Sequence, residues 1–290
     1  MPINALLLVL LAALLHAIWN IAAKRAGGDF RFTLFVAGFV SLVWLPPSLW
    51  LGWEVIGSWG LEIWGLLLLS AAVHLAYFVI LLRGYRAADL TVVYPVARGS
   101  APLVTALAAM PFLGERLTAL AWTGVLGVCG GVFLIAGGPN LWRGQADPAR
   151  VRAGLLWGAA TGLFIAGYSV IDGYAVKRQG VHPILLDYFG NLLRIPMLLP
   201  AVWGTRAQLP QLFREQWRAA LMVGTLGSAG YMLVLYAVTL APLSHVAPAR
   251  EVSMLLTALL GGRLLGEKDR GPRLAGAACI TLGVVLLALG

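Results

Sequence analysis

Charge is what this sequence lacks most. Asp, Glu, Lys and Arg together make up 11% of its 290 residues while 60% are hydrophobic, against roughly 25% charged in soluble domains. A chain of this length and composition cannot cover itself with polar surface, which excludes a soluble globular domain and indicates several membrane crossings. Acidic residues are the scarcer sign, 12 against 21 Lys and Arg, for a net charge of +9. The basic residues are scattered in ones, twos and threes between apolar runs, so no basic face for nucleic acid is built and juxtamembrane anchoring accounts for them. Cysteine is nearly absent: Cys129 and Cys279 both fall in apolar runs, which excludes a disulfide framework. Nor is there a hydrolase nucleophile elbow, an HExxH pair, a phosphate-binding Gly-Lys loop or a Cys/His cluster, so the sequence gives no support for an enzyme, a metal or another cofactor. Met1-Pro2-Ile3-Asn4 carries no basic charge ahead of the first apolar run, and that run is expected to be a retained span rather than a secretory signal.

What is present is apolar sequence in lengths of about 20 residues, the number a helix needs to cross the hydrocarbon core. Ten spans are predicted, at 3–23, 32–52, 61–82, 91–113, 119–137, 153–176, 183–204, 219–240, 245–265 and 272–289. The longest polar break, 139–152, divides them into two sets of five, 1–138 and 153–290. Because five is odd, the second set enters the membrane from the opposite side, and a duplicated sequence becomes an inverted repeat.

The duplication is legible. Shifted by 152, the stretch 98–138 falls on 250–290 with 14 identities in 41 positions and no gap, including Arg98/Arg250, Gly114-Glu115/Gly266-Glu267, Gly124/Gly276 and Gly131/Gly283. Weaker echoes are His74-x-x-Tyr77 with Ser228-x-x-Tyr231, and Lys24-Arg25 with Lys177-Arg178. The fold class expected is therefore an all-α integral membrane protein of ten transmembrane helices, arranged as two inverted five-helix repeats.

Each repeat places an arginine inside an apolar span, and intramembrane charge marks function by default. Approaching the midplane from opposite sides, Arg98 and Arg250 are expected about 10 Å apart along the membrane normal, close enough to hold one small anion. The competing reading is neutralisation by a neighbour such as Glu251. Prolines frame both positions, Pro95 and Pro102 in the first repeat and Pro242 and Pro248 in the second, and interrupted helices in matching spans point to a binding site. His16, Trp19 and Asn20 in span 1, Tyr77, Tyr94, Tyr168, Tyr231 and His245 complete the candidate substrate-binding set, the aromatics by stacking or by a hydroxyl. Asp172 and Glu251 are the candidates for a proton or cation. Asp187, Asn191 and Arg194 share a face of span 7 and are expected to form an internal Asp187–Arg194 pair. Glu115 and Glu267 are expected to be turn and capping residues.

The ten-span layout, the Gly114-Glu115 and Gly266-Glu267 turns closing spans 4 and 9, and the Gly-rich spans that follow resemble the EamA-type members of the drug/metabolite transporter superfamily. The resemblance implies a central cavity lined by spans 1, 3, 4, 6, 8 and 9, with spans 5 and 10 as a buttress and possible dimer surface, so a monomer or a homodimer through those spans is expected. It also implies cytoplasmic termini. The Lys/Arg distribution implies the reverse, because the loops after spans 1, 3, 5, 7 and 9 carry fifteen basic residues and the other loops only Arg116, Lys177 and Arg178. The function expected is secondary transport of a small organic metabolite, anionic or zwitterionic, such as an amino acid, organic acid or phosphonate, by alternating access across a cell membrane (the inner one in a bacterium). The alternatives are a flippase for a lipid-linked intermediate and a membrane enzyme acting on a phospho-lipid carrier.

Overall fold

The computed structural model describes residues 1–26, 29–135, 148–256 and 270–290, and among these it contains helices and no strand. The first repeat holds α1 (Ile3–Ala26), α2 (Phe30–Val43), α3 (Leu45–Gly52), α4 (Leu61–Ala87), α5 (Leu90–Leu113) and α6 (Ala119–Ile135). The second holds α7 (Pro148–Lys177), α8 (Pro183–Trp203), α9 (Leu209–Leu240), α10 (Leu243–Ala249) and α11 (Arg270–Leu289). Six helices are long and apolar enough to cross a membrane, α2 with α3 makes a seventh span, and α6 and α11 are shorter apolar helices. Outward faces are apolar, as hydrocarbon requires: Leu7, Leu11 and Leu14 on α1 and Leu282 and Val285 on α11 are exposed.

Four boundaries differ from the sequence expectation, each for a physical reason. Span 2 is broken at Trp44 and bends by 53° into α3, because Pro46 and Pro47 cannot donate to the carbonyls of the preceding turn. Helix α9 starts at Leu209, ten residues before the expected 219, since hydropathy reports only the part in hydrocarbon while Arg214 and Arg218 extend the helix into water. Helix α7 likewise begins at Pro148, inside the stretch expected as linker. Span 9 is not continuous: α10 stops at Ala249, Arg250 and Glu251 form a turn, and the next bonds are short-range, Glu251 N–H to Pro248 O (2.9 Å) and Ser253 N–H to Arg250 O (3.1 Å). Pro248 supplies no N–H for the carbonyl of Ser244, which loosens the α-helix at this point. By contrast α5 stays helical through Pro95, Pro102 and Pro111 and ends on Gly114 at φ 71°, a left-handed cap that glycine adopts without strain.

The packing shows the inversion. A Cβ placed on Gly124 would lie 2.7 Å from the carbonyl oxygen of Gly283, and one on Gly131 would lie 2.6 Å from that of Gly276. Gly124 and Gly276 are repeat mates, as are Gly131 and Gly283, so the pair 124·283 maps onto 276·131 when the repeats are exchanged. Helices α6 and α11 therefore run antiparallel about a pseudo-twofold axis, with backbones in contact where a side chain has no room. The same exchange relates the packing of α1 on α9 to that of α7 on α4. The two terminal segments meet at one end, where the Met1 amino group donates to Ala288 O at 2.7 Å. We call this the terminal end and the opposite one the basic end.

Candidate functional site

The bundle encloses a cavity of about 290 Å³ that draws its walls from both repeats. Toward the basic end it is lined by Trp19 and Asn20 of α1, Val36 of α2 and Tyr94 of α5, each within about two helical turns of its helix end there. The remaining polar and aromatic lining is His16, His74, Tyr77, Arg98, Asp187, Asn191 and Arg194, with Tyr168, Tyr231 and Arg250. Nine of the ten substrate-binding candidates thus come together: Arg98, Arg250, His16, Trp19, Asn20, Tyr77, Tyr94, Tyr168 and Tyr231. The tenth, His245, does not. It is buried at the start of α10, with Ser244 Oγ 3.4 Å from its Nδ1, because the break at residues 250–251 keeps this half-helix outside the cavity lining.

The two arginines differ. Arg98 Nη2 lies 3.1 Å from Glu251 Oε2 and donates to Ser253 Oγ at 3.4 Å. Glu251, 1% exposed, is behind the cavity wall rather than in it, so the neutralising neighbour suggested by the sequence exists but serves the arginine of the other repeat. Arg250 is 8% exposed and lines the cavity, its Nε has no hydrogen-bond partner, and it forms no ion pair among the described residues.

Asp172 is fully buried and stands behind Tyr231, whose hydroxyl donates to its Oδ2. His74 Nε2 is 3.9 Å from the same oxygen, and its Nδ1 is 3.0 Å from Ser70 O. A carbonyl can only accept, so Nδ1 carries the proton and Nε2 faces the carboxylate with its lone pair. The two acceptors face each other beyond hydrogen-bond distance, next to the stacked ring of Tyr168 at 3.9 Å from that of His74.

The expected Asp187–Arg194 pair is replaced by a chain of contacts along α8. Arg194 Nη1 donates to Asn191 Oδ1 at 3.2 Å, and Asn191 Nδ2 donates to Asp187 O at 2.9 Å. All three residues line the cavity. None of the three, nor His74, belongs to the substrate-binding set expected from the sequence, although the i, i+4, i+7 spacing of Asp187, Asn191 and Arg194 is a usable signal.

The terminal end is sealed. Glu115 reaches across to α10, accepting from the backbone N–H of Leu243 (2.7 Å) and Ser244 (2.9 Å), and its Oε1 is 3.0 Å from Lys177 Nζ. Arg178 donates to Leu113 O at 2.8 Å, and Gln179 to Glu62 at 2.6 Å. Burial would raise the Glu115 carboxyl, but hydrogen bonds from Ser244 and Lys177 outweigh it and hold the group below its ordinary range. It is a capping residue, as expected, but the helix it caps belongs to the other repeat. Glu267 lies outside the described residues.

These features match known proteins. The profile of the EamA-like transporter family covers residues 3–137 and again 152–289. The chain belongs to this family. "Uncharacterized transporter YwfM" of Bacillus subtilis (strain 168) is 23% identical over 270 residues, 92% of this chain and 84% of that one. A protein crystal structure 17% identical in sequence superposes with a TM-score of 0.76 over 100% of this chain and 98% of the other, a likeness of fold. The EamA-like chain is thus a multi-pass membrane transporter.

Proposed function

We propose that the protein carries a small organic anion or zwitterion, of the amino acid, organic acid or phosphonate kind, across a bacterial inner membrane by alternating exposure of this cavity. The observation that carries the reading is the charge balance of the cavity. Arg98 is matched by Glu251, whereas Arg250 lines the cavity with no ion-pair partner among the described residues. A cation held at this depth without a partner is costly in a resting protein and useful when a substrate supplies the counter-charge. The aromatic rings of Trp19, Tyr77, Tyr94, Tyr168 and Tyr231 furnish contact area for an apolar portion. The Asp172–His74 pair is the coupling site in this reading, taking up a proton on one side and releasing it on the other. Glu251, held by Arg98, acts as a structural counter-charge.

Liposomes containing the purified protein are expected to take up such solutes unchanged, with a rate that responds to an imposed pH gradient. Asp172→Asn removes that response. Chemical conversion of the solute without a gradient effect would argue for an enzyme, and flux indifferent to pH in both proteins would remove Asp172 from coupling.

The basic end is taken as cytoplasmic, which makes the Glu115 seal external. Losing a helix cap costs about 1 kcal/mol, so Glu115→Ala should open the seal several-fold more often. In intact cells an impermeant maleimide should then label Ser244→Cys faster in the Glu115→Ala background. Labelling confined to opened membranes would put this end in the cytoplasm, and an unchanged rate would show that Glu115 is no latch. Acid should mimic the substitution: the seal's contribution is present above the ordinary carboxylate range near 4.3 and is lost as pH falls through the depressed value of the folded protein.

A further inference from the structure

The pseudo-twofold axis makes the ion pair in the wall more informative than it is alone. Exchanging the repeats maps Arg98 onto Arg250 and Glu251 onto position 99, which is glycine. It maps Ser253 onto Ala101, which has no side-chain acceptor either. The contact between Arg98 and Glu251 at 3.1 Å therefore has an image in which the guanidinium is present and the carboxylate is missing. Arg250 is the guanidinium of that image, buried, aimed into the cavity and without an ion-pair partner among the described residues. There is space at the vacant position. A Cβ on Gly99 would meet Cys129 O at 3.7 Å and Val132 at 3.8 Å, ordinary contact distances. The chain is also broken at Arg250–Glu251 where α5 is continuous, so here the repeats differ in both backbone and charge.

We infer that the duplicated arginines have been assigned different tasks: Arg250 receives a carboxylate of the substrate in place of the acid that the first repeat lacks at Gly99, while Arg98 and Glu251 form the internal copy of the same contact and join the two repeats. The substrate class is a monocarboxylate, or a zwitterion whose carboxylate points to Arg250. This inference rests on the transporter reading for its meaning, but the vacancy itself does not depend on transport.

The test uses the full chain in lipid nanodiscs and does not require the cargo to be identified. Gly99→Glu supplies the missing carboxylate and Gly99→Gln its neutral isostere, and each is compared with Arg250 present and with Arg250→Gln. With Arg250 present, Gly99→Glu should melt several degrees above Gly99→Gln, and the order should reverse with Arg250→Gln because the acid is then buried alone. Equal melting in both backgrounds, or the reversed order with Arg250 present, overturns the vacancy. If neither position-99 variant can be purified, Arg250→Gln alone decides: it should melt at or above the starting protein, and a clear fall overturns the inference. The ligand side is read by thermal shift with acetate, benzoate and indole-3-acetate against their amides. At least one acid should stabilise the starting protein where its amide does not, and Gly99→Glu should weaken that acid by about tenfold or more. No shift from any of the three acids overturns the carboxylate assignment. A positive melting cycle with no solute flux in liposomes would instead sink the transport proposal and leave the vacancy standing.

Discussion

Arg98→Ala should lower the stability of the protein by about 3–5 kcal/mol, the usual loss when one member of a buried ion pair is removed and the other is left charged in a low-dielectric interior. Glu251 is 1% exposed and its Oε2 faces Arg98 Nη2 at 3.1 Å, so after the substitution its charge has neither water nor a guanidinium nearby. The pair also crosses between the repeats, joining the middle of α5 to the break in span 9. The measurement is thermal unfolding in nanodiscs, and the decisive comparison is Arg98→Ala with Glu251→Gln. Removing the stranded charge should recover more than half of the loss, as replacement of both ions is far cheaper than replacement of one. If Arg98→Ala unfolds like the starting protein, the ion pair is not structural and Arg98 returns to the substrate site.

A comparably large effect is expected where α6 meets α11. Gly131→Leu puts its Cβ 2.6 Å from Gly276 O and 2.7 Å from Ile280. One of these neighbours is backbone, which cannot rotate away, so the helices must separate along their glycine seam. Overpacking of a close-packed contact costs typically 1–3 kcal/mol and more when backbone has to move. Gly130→Leu is the control one residue away: nothing lies within 4 Å of its Cβ. Gly130→Leu should be tolerated, with slight stabilisation from better helix propensity, while Gly131→Leu should melt well below it in nanodiscs. Equal melting of the two would mean that the α6–α11 contact is not a packed interface. The repeat already separates the two adjacent glycines, since Gly131 recurs as Gly283 while Gly130 falls on Leu282.

Apolar spans are legible in the sequence because hydrocarbon imposes a length and a composition, although the end of span 9 lies outside the described residues, and the inversion is legible because a duplication with an odd number of spans turns the second copy over. Nine of the cavity residues are legible too, since a polar or aromatic group inside an apolar run is conspicuous. The misses have one origin. His245 was conspicuous in the same way, yet α10 ends before the cavity and holds it outside the lining. Arg194 and Asp187 share one helix face at a spacing that suits a pair, but Arg194 turns to Asn191 instead. Glu115 was identified as a cap, and the helix it caps starts 128 residues away.

The sequence by itself therefore determined which segments are apolar enough for the membrane, that they form two inverted halves, and which few groups were placed in hydrocarbon at a cost. Those properties follow from local composition and from repetition, which are written along the chain. Only the tertiary structure decided which charge meets which. Glu251 adjoins Arg250 in sequence but pairs with Arg98, because the turn at the break carries the two side chains in different directions and the pseudo-twofold axis brings the other repeat to meet the carboxylate. Ion pairing depends on distance in space, and in an inverted repeat the nearest partner in space comes from the other half of the chain.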